Sequence, residues 1–410
     1  MPPVIAAALE ALPRDEPVAV VRDRAATILA VEPVEVVRAR GKDALAALDR
    51  LTPGWWAGFL AYDLGRAIEP VRPRLPDPLG LPDVLLVRFA SQARVHDTTM
   101  QLSGNERGAR ARLRRLLSGT AALGPGLEPD PVELGRPHSS LDRDAFEAGV
   151  RAIVGLLEAG ECYQVNLTRQ LSWPLAADAI ALYRRLMRHS PAPHGALLRL
   201  PLTDADTGAV VSASPERFLR WEQRTVETRP IKGTATDVDV LRASAKDRAE
   251  NVMIVDLARN DLGRVCDAGS VTVDELCGAE PHPGLWHLVS TVRGRRRADV
   301  GLGALLRATM PPASVTGAPK PRVLQAIEDL EPVRRGVYCG ALGWLDTEHD
   351  RGDLAVAIRT FTVLDGATFL GVGAGIVADS IPSAEWDETE LKAARLLRAA
   401  GALAPALVRA

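Results

Sequence analysis

Apolar positions along the chain repeat at two periods, and the change between them marks out elements. From Ser140 onward, Phe146, Val150, Ile153, Val154 and Leu157 fall on one helical face. Ser140 or Asp142 supplies a cap, and Gly160 a stop. The same spacing predicts helices over Ala179–Arg188, Ala243–Asp261, Ala304–Met310, Lys320–Leu330 and Ser383–Ala400. Short apolar runs bounded by turn residues predict strands at Gln164–Leu171, Gly195–Leu200, Ala209–Ala213, Ser270–Val273, Gly340–Leu345 and Thr368–Val372. Earlier, Val18–Val21, Val84–Phe89 and the run Gly54–Tyr62 also read as strands, the glycines of the last suiting close packing or a bulge. Ser118–Pro137, rich in glycine and proline, reads as a linker or long surface loop. Strands cluster with irregular gaps instead of alternating with helices. That predicts an α+β fold with mainly antiparallel sheets, not a doubly wound one.

The whole-chain numbers narrow the function classes. With 410 residues, 47% of them hydrophobic, the chain can bury one large core or two ordinary ones. Its 50 basic and 52 acidic residues leave a net charge of -2, so no overall field recruits nucleic acid or an anionic membrane. The run Arg293-Gly294-Arg295-Arg296-Arg297 reads as a solvated loop or strand end, with a phosphate patch as the alternative. Cysteines 162, 266, 277 and 339 form no CxxC pair and have no histidine at zinc spacing, which predicts buried thiols in a reducing compartment. The N-terminus lacks a basic signal-peptide region, and no apolar run reaches the ~18 residues of a membrane span, so a cytoplasmic protein is expected.

Three sets of residues carry candidate chemistry. Asp247 and Glu250 share a face of one predicted helix, and Glu385, Glu388 and Lys392 share a face of another. Such faces are solvated surface, with a Glu388–Lys392 ion pair worth ~0.3–0.5 kcal/mol, or they are two walls of a magnesium site in a shared cleft. Gly371-Val372-Gly373-Ala374-Gly375 follows an apolar run but continues as strand, so it is no dinucleotide fingerprint; its backbone N–H groups suit an anion. Ser314–Lys320 is a turn into a helix with a hydroxyl and free N–H groups at the helix start. Arg359, at the end of a predicted strand, makes either a structural ion pair or a fork for a carboxylate.

Longer motifs go further. From Ser140 on, the chain resembles the chorismate-utilising enzymes, which include anthranilate synthase component I, aminodeoxychorismate synthase component I, and the isochorismate and salicylate synthases. The resemblance lies in Gly160–Leu167, Ser212–Phe218, Pro230–Thr234, Ala249-Glu250-Asn251 through Asp261, His287–Ser290, Thr316–Lys320, Arg334–Tyr338, Ala357–Thr360 and Gly373–Ser380. The first 140 residues match weakly, at Gly58 and Tyr62–Arg66. It implies a fold of two antiparallel sheets packed between helical layers. The expected organisation is an N-terminal strand-rich region (1–117) within the same body, a linker (118–139) and a chorismate-binding catalytic domain (140–410).

The resemblance also implies roles. Glu250 and Glu388 would bind magnesium, with Glu385 and Asp247 close by. Arg359 and Tyr338 would hold the enolpyruvyl carboxylate of chorismate. Gly373, Ala374, Gly375 and Lys392 would serve the ring carboxylate, and Thr316 and His287 would line the pocket. Glu216 would protonate the departing ring hydroxyl, which requires a raised pKa. Isochorismate and salicylate synthases carry a water-activating lysine where this chain has Gln164, so ammonia is the expected nucleophile. Lys232, at a position that is small in anthranilate synthases, is similar to the lysine of aminodeoxychorismate synthases. It is a surface lysine at a turn or, inside this motif, a nucleophile that splits one displacement into two. No cysteine sits in a Gly-x-Cys-x-Gly turn, so a separate glutamine amidotransferase is the expected partner. The stretch that lines a tryptophan site in anthranilate synthases is not matched, and no bound tryptophan is expected.

Overall fold

The computed structural model describes residues 1–402 except 24, 25, 97, 98, 105, 119–130, 133, 205 and 283. Most of the predicted linker therefore lies outside the described residues. Every strand pairing among them is antiparallel, and the pairings resolve into two sheets that share long strands. One runs from Leu285–Arg295 through Thr225–Arg229, Arg217–Glu222, Arg351–Val356, Ala341–Asp346 and Trp55–Leu60 to Val84–His96. The other runs from Val84–His96 through Ala26–Ala39, Val18–Asp23, His194–Leu200, Gly208–Ser214, Thr360–Leu364 and Ala367–Ile376 to Gln164–Trp173. Val84–His96 and Ala26–Ala39 pair along nearly their whole lengths and carry the connection between the sheets.

Alternation along the strands builds the layers. Trp55, Ala57 and Phe59 join Ala196, Leu198 and Leu200 in a core between the sheets. Trp56 and Leu60, on the opposite face, join a second core with the helices Lys42–Leu48, Ala245–Gly263, Leu302–Thr309 and Lys320–Leu330. Leu197 and Val211 face a third, under the helices Pro3–Ala11, Arg107–Ser118, Ala179–His189 and Pro382–Ala400. The expected α+β arrangement of two antiparallel sheets between helical layers is thus observed.

The helix expected over Ala243–Asp261 is observed as Ala245–Gly263, and a separate short helix, Val238–Ala243, precedes it. Asp237 caps Val238–Ala243, and Ser244 then caps Ala245–Gly263 by accepting from the Asp247 backbone N–H at 3.2 Å. Asp142 caps Arg143–Glu158 in the same way. The basic run ends a strand, and its arginines are ion-paired: Arg293 with Glu227 and Asp274, Arg295 with Asp267, Arg296 with Asp350, Arg297 with Asp299. All four cysteines are free and buried. No helix among the described residues is long and apolar enough to cross a membrane.

Candidate active site

A cavity of about 900 Å³ is walled by segments of both sheets and by two helices, Ala245–Gly263 and Pro382–Ala400. Lys232 enters from the strand Ile231–Ala235. Its pairing with Leu285–Arg295 slips between Lys232 and Thr234, with Gly233 at φ 78° as the extra residue. A bulge of this kind turns the side chain out of the regular alternation. Asp247 packs on the same glycine, where an added Cβ would come within 2.8 Å of its Cγ. Asn251, fully buried, donates from Nδ2 to the Leu288 carbonyl at 3.2 Å and accepts from the Ser290 hydroxyl. That clamp fixes the helix on the strand and presents the adjacent Glu250 to the cavity, 3.8 Å from the Lys232 ammonium.

Glu216 follows the strand Gly208–Ser214, its backbone pinned by a 3.0 Å bond from the Val356 N–H to its carbonyl. The side chain is buried. Burial pushes its pKa up to about 7, opposed by a hydrogen bond with Ser314 and the charge of Lys232. Burial pulls the Lys232 pKa down, opposed by Glu250 and Glu216 and assisted by Lys392. A proton donor and an amine thus share one wall, each moved toward its neutral form.

The facing wall is the strand Ala367–Ile376. Its last six residues pair only with Gln164–Trp173, so one edge of Gly371–Gly375 is open to the cavity. Lys392 donates to the Gly373 carbonyl at 2.9 Å and pairs with Glu388 at 2.7 Å. The Tyr338 ring lies against Gly371, where an added Cβ would fall 2.1 Å from Cδ1. Glu385 accepts from Ser380 at 2.6 Å, and burial and Glu388 raise its pKa. His287 accepts from or donates to Thr234 at 2.9 Å and meets His282 edge-on at 4.4 Å between ring centroids. Its pKa is pushed down to about 4 by burial, then by His282 and Arg359, so it is neutral. Arg359 sits in a left-handed turn at φ 52°, held where the Ala213 N–H reaches its carbonyl at 3.0 Å.

Twelve expected site residues therefore line one cavity: Glu216, Lys232, Asp247, Glu250, His287, Tyr338, Arg359, Gly373, Gly375, Glu385, Glu388 and Lys392. Three do not. Ala374 points into the core behind the strand. Gln164 is fully buried behind Gly375, where an added Cβ would lie 2.6 Å from its Nε2. Thr316 is buried and donates to the Pro312 carbonyl at 2.8 Å, so its hydroxyl is spent on its own turn; Ser314 and Val315 reach the cavity instead. The turn thus offers no free hydroxyl at the helix start. Asn166, His282, Arg395 and Arg398 also line the cavity and were not expected. Two had a signal: Asn166 lies inside the Gly160–Leu167 motif, and Arg395 lies seven residues after Glu388, on the same helical face.

The donor set suits magnesium as a partner of substrate oxygens. Glu250 and Glu388 are carboxylates from two helices, whereas no group of three acid, histidine or cysteine side chains among the described residues could cage an ion. Magnesium commonly takes one or two protein carboxylates and fills its octahedron with substrate and water.

Residues 8–398 match the family described as chorismate binding enzyme. The chain belongs to that family. It is 39% identical over 351 residues to aminodeoxychorismate synthase component 1 of Klebsiella aerogenes, which covers 83% of this chain and 76% of the relative. It is 36% identical over 407 residues to anthranilate synthase component 1 of Mycolicibacterium smegmatis, covering 91% of this chain and 77% of that one. The crystal structure of anthranilate synthase component I from Streptococcus pneumoniae superimposes with a TM-score of 0.79 at 27% identity, covering 92% of each chain.

Proposed function

We propose that this chain is an aminodeoxychorismate synthase component 1, joining ammonia to chorismate at ring carbon 4 to give 4-amino-4-deoxychorismate. The observation that carries this reading over anthranilate synthesis is Lys232, a buried amine of lowered pKa in a cavity shared with Glu216. The relatives named aminodeoxychorismate synthase component 1 support it.

The neutral Lys232 amine attacks ring carbon 2, both double bonds of the ring diene shift by one position, and the carbon-4 hydroxyl leaves as water with the proton of Glu216. The new secondary ammonium returns a proton to Glu216. Ammonia then bonds to carbon 4, both double bonds shift back, and the carbon–nitrogen bond to Lys232 breaks. Glu216 relays one proton from the incoming ammonium to the departing lysine. Water is the only by-product.

Arg359 and Tyr338 hold the enolpyruvyl carboxylate; the open edge of Gly373–Gly375 and Lys392 receive the ring carboxylate. Glu250 and Glu388, flanked by Glu385 and Asp247, are the residues that would hold magnesium, which neutralises the ring carboxylate when bound. Gln164 has no amine to activate water, consistent with ammonia as the nucleophile, and Ala374 and Thr316 act from behind the wall as packing. A glutamine amidotransferase subunit is the proposed source of ammonia.

Purified protein with chorismate, magnesium and an ammonium salt tests the reading. A product that yields 4-aminobenzoate only after a lyase is added is expected. Direct appearance of anthranilate fluorescence would place the chain with the anthranilate synthases instead.

A further inference from the structure

Arg359 is a half-buried cation on the cavity wall, and no carboxylate among the described residues pairs with it. A guanidinium removed from water without an anion is costly, so the fold holds it ready for an anion from outside. The charged side chain that acts on it is another cation, Arg395, which lowers its pKa further after burial has done so. Both guanidiniums line one cavity, so an anion that enters it relieves the repulsion between them.

Arg395 stands on the helix Pro382–Ala400, on the face that carries Glu388 and Lys392. It is exposed and lines the same cavity as Arg359, without a carboxylate partner of its own among the described residues. The two guanidiniums belong to different elements, a turn before the strand Thr360–Leu364 and an outer-layer helix. One stripe of that helix therefore runs from acidic, at Glu385 and Glu388, to basic, at Lys392 and Arg395.

We propose that Arg395 is a substrate-binding residue that shares the side-chain carboxylate of the substrate with Arg359. This rests on the reading above, in which that carboxylate belongs to chorismate. The pair selects a ligand with two separated carboxylates over one that has lost the side-chain acid.

The test compares the wild-type enzyme, Arg395→Gln and Arg395→Lys under steady-state turnover of chorismate. Loss of one charged donor to a carboxylate is expected to raise KM about tenfold in Arg395→Gln while kcat stays within about twofold. Arg395→Lys falls between, because it keeps the charge and loses the fork. A second arm uses a competitive inhibitor, a chorismate analogue whose side-chain carboxylate is a neutral amide. Wild type and Arg395→Gln are expected to bind this analogue alike. Unchanged KM in Arg395→Gln, a fall in kcat alone, or an equal loss of affinity for the amide would overturn the proposal. Wild-type protein that fails to aminate chorismate would remove the functional reading and this inference with it, whereas normal wild-type turnover with an unaffected Arg395→Gln removes only the inference.

Discussion

At the scale of single residues, the proposed chemistry requires Glu216 and Lys232 to act in their neutral forms. Burial raises the Glu216 pKa to about 7, so its acid form persists up to that pH. Activity should therefore fall as pH rises through about 7, where that proton is lost. Glu216→Gln should lower kcat by about 10²–10⁴ and abolish this titration in a pH–rate profile; an unchanged profile would separate Glu216 from the acid role. The same group links to stability. A carboxyl with a folded pKa above its unfolded value of 4.5 holds a proton that the unfolded chain has released. Its contribution to stability is full below about 4.5 and is lost as pH climbs to about 7. Urea midpoints of wild type and Glu216→Gln across that window should differ in slope, the variant's being flatter. Lys232 has the opposite demand: burial lowers its pKa and frees the amine at a lower pH than an exposed lysine. Lys232→Ala should cut carbon-4 amination at least about 10³-fold, measured as 4-aminobenzoate formed with added lyase, and a variant that keeps its rate would exclude the covalent route.

At the scale of elements, the bulge at Gly233 turns Lys232 into the cavity and lays Asp247 against the glycine. A side chain there meets both a positive φ of 78° and the Asp247 carboxyl carbon at 2.8 Å. Gly233→Ala should thus cost about 1–3 kcal/mol in a denaturant titration and depress turnover more than that loss explains, since the bulge re-aims the lysine; a variant with wild-type kinetics would contradict this. The helices were readable where apolar residues repeat on one face, as in Lys320–Leu330, which the structure reproduces residue for residue. The short helix Val238–Ala243 was not, because six residues are too few to show a repeat, and only its Asp237 cap marks its start. The strand Leu285–Arg295 was missed for a related reason: it joins apolar Leu288, Val289 and Val292 to a charged end, so no single period covers it. Thr316 and Gln164 were legible as part of the motifs, but their burial behind the wall depends on which way a turn and a strand face. Sequence order cannot supply that orientation.

At the scale of the whole molecule, the first third, whose motifs were the faintest in the sequence, is built into the frame of the site. Trp55–Leu60 pairs along its length with Ala341–Asp346, and Val84–His96 spans both sheets. Asp63 accepts from the Gly336 N–H at 2.9 Å, two residues before Tyr338, and Arg66 pairs with Glu328 at 2.7 Å. The same region rests on a buried hub. Arg335 pairs with Glu331 at 2.6 Å, donates to the carbonyls of Val315 and Asn166 at 2.9 and 2.7 Å, and stacks over the Tyr62 ring at 4.3 Å. Glu331 in turn accepts from the Thr168 N–H and hydroxyl, both at 2.9 Å. Removing one member strands a buried charge, so Arg335→Met should cost about 3–5 kcal/mol and lower the thermal midpoint. A chain beginning at residue 140 should fare worse, because the strand Ala341–Asp346 would lose its neighbour Trp55–Leu60 and the core between the sheets would lose Trp55, Phe59 and Leu85. Far-UV circular dichroism and limited proteolysis of that fragment should report a chain without a cooperative transition. A sharp unfolding midpoint near that of the full chain would show that residues 140–410 fold alone, and the frame argued here would then end at the linker.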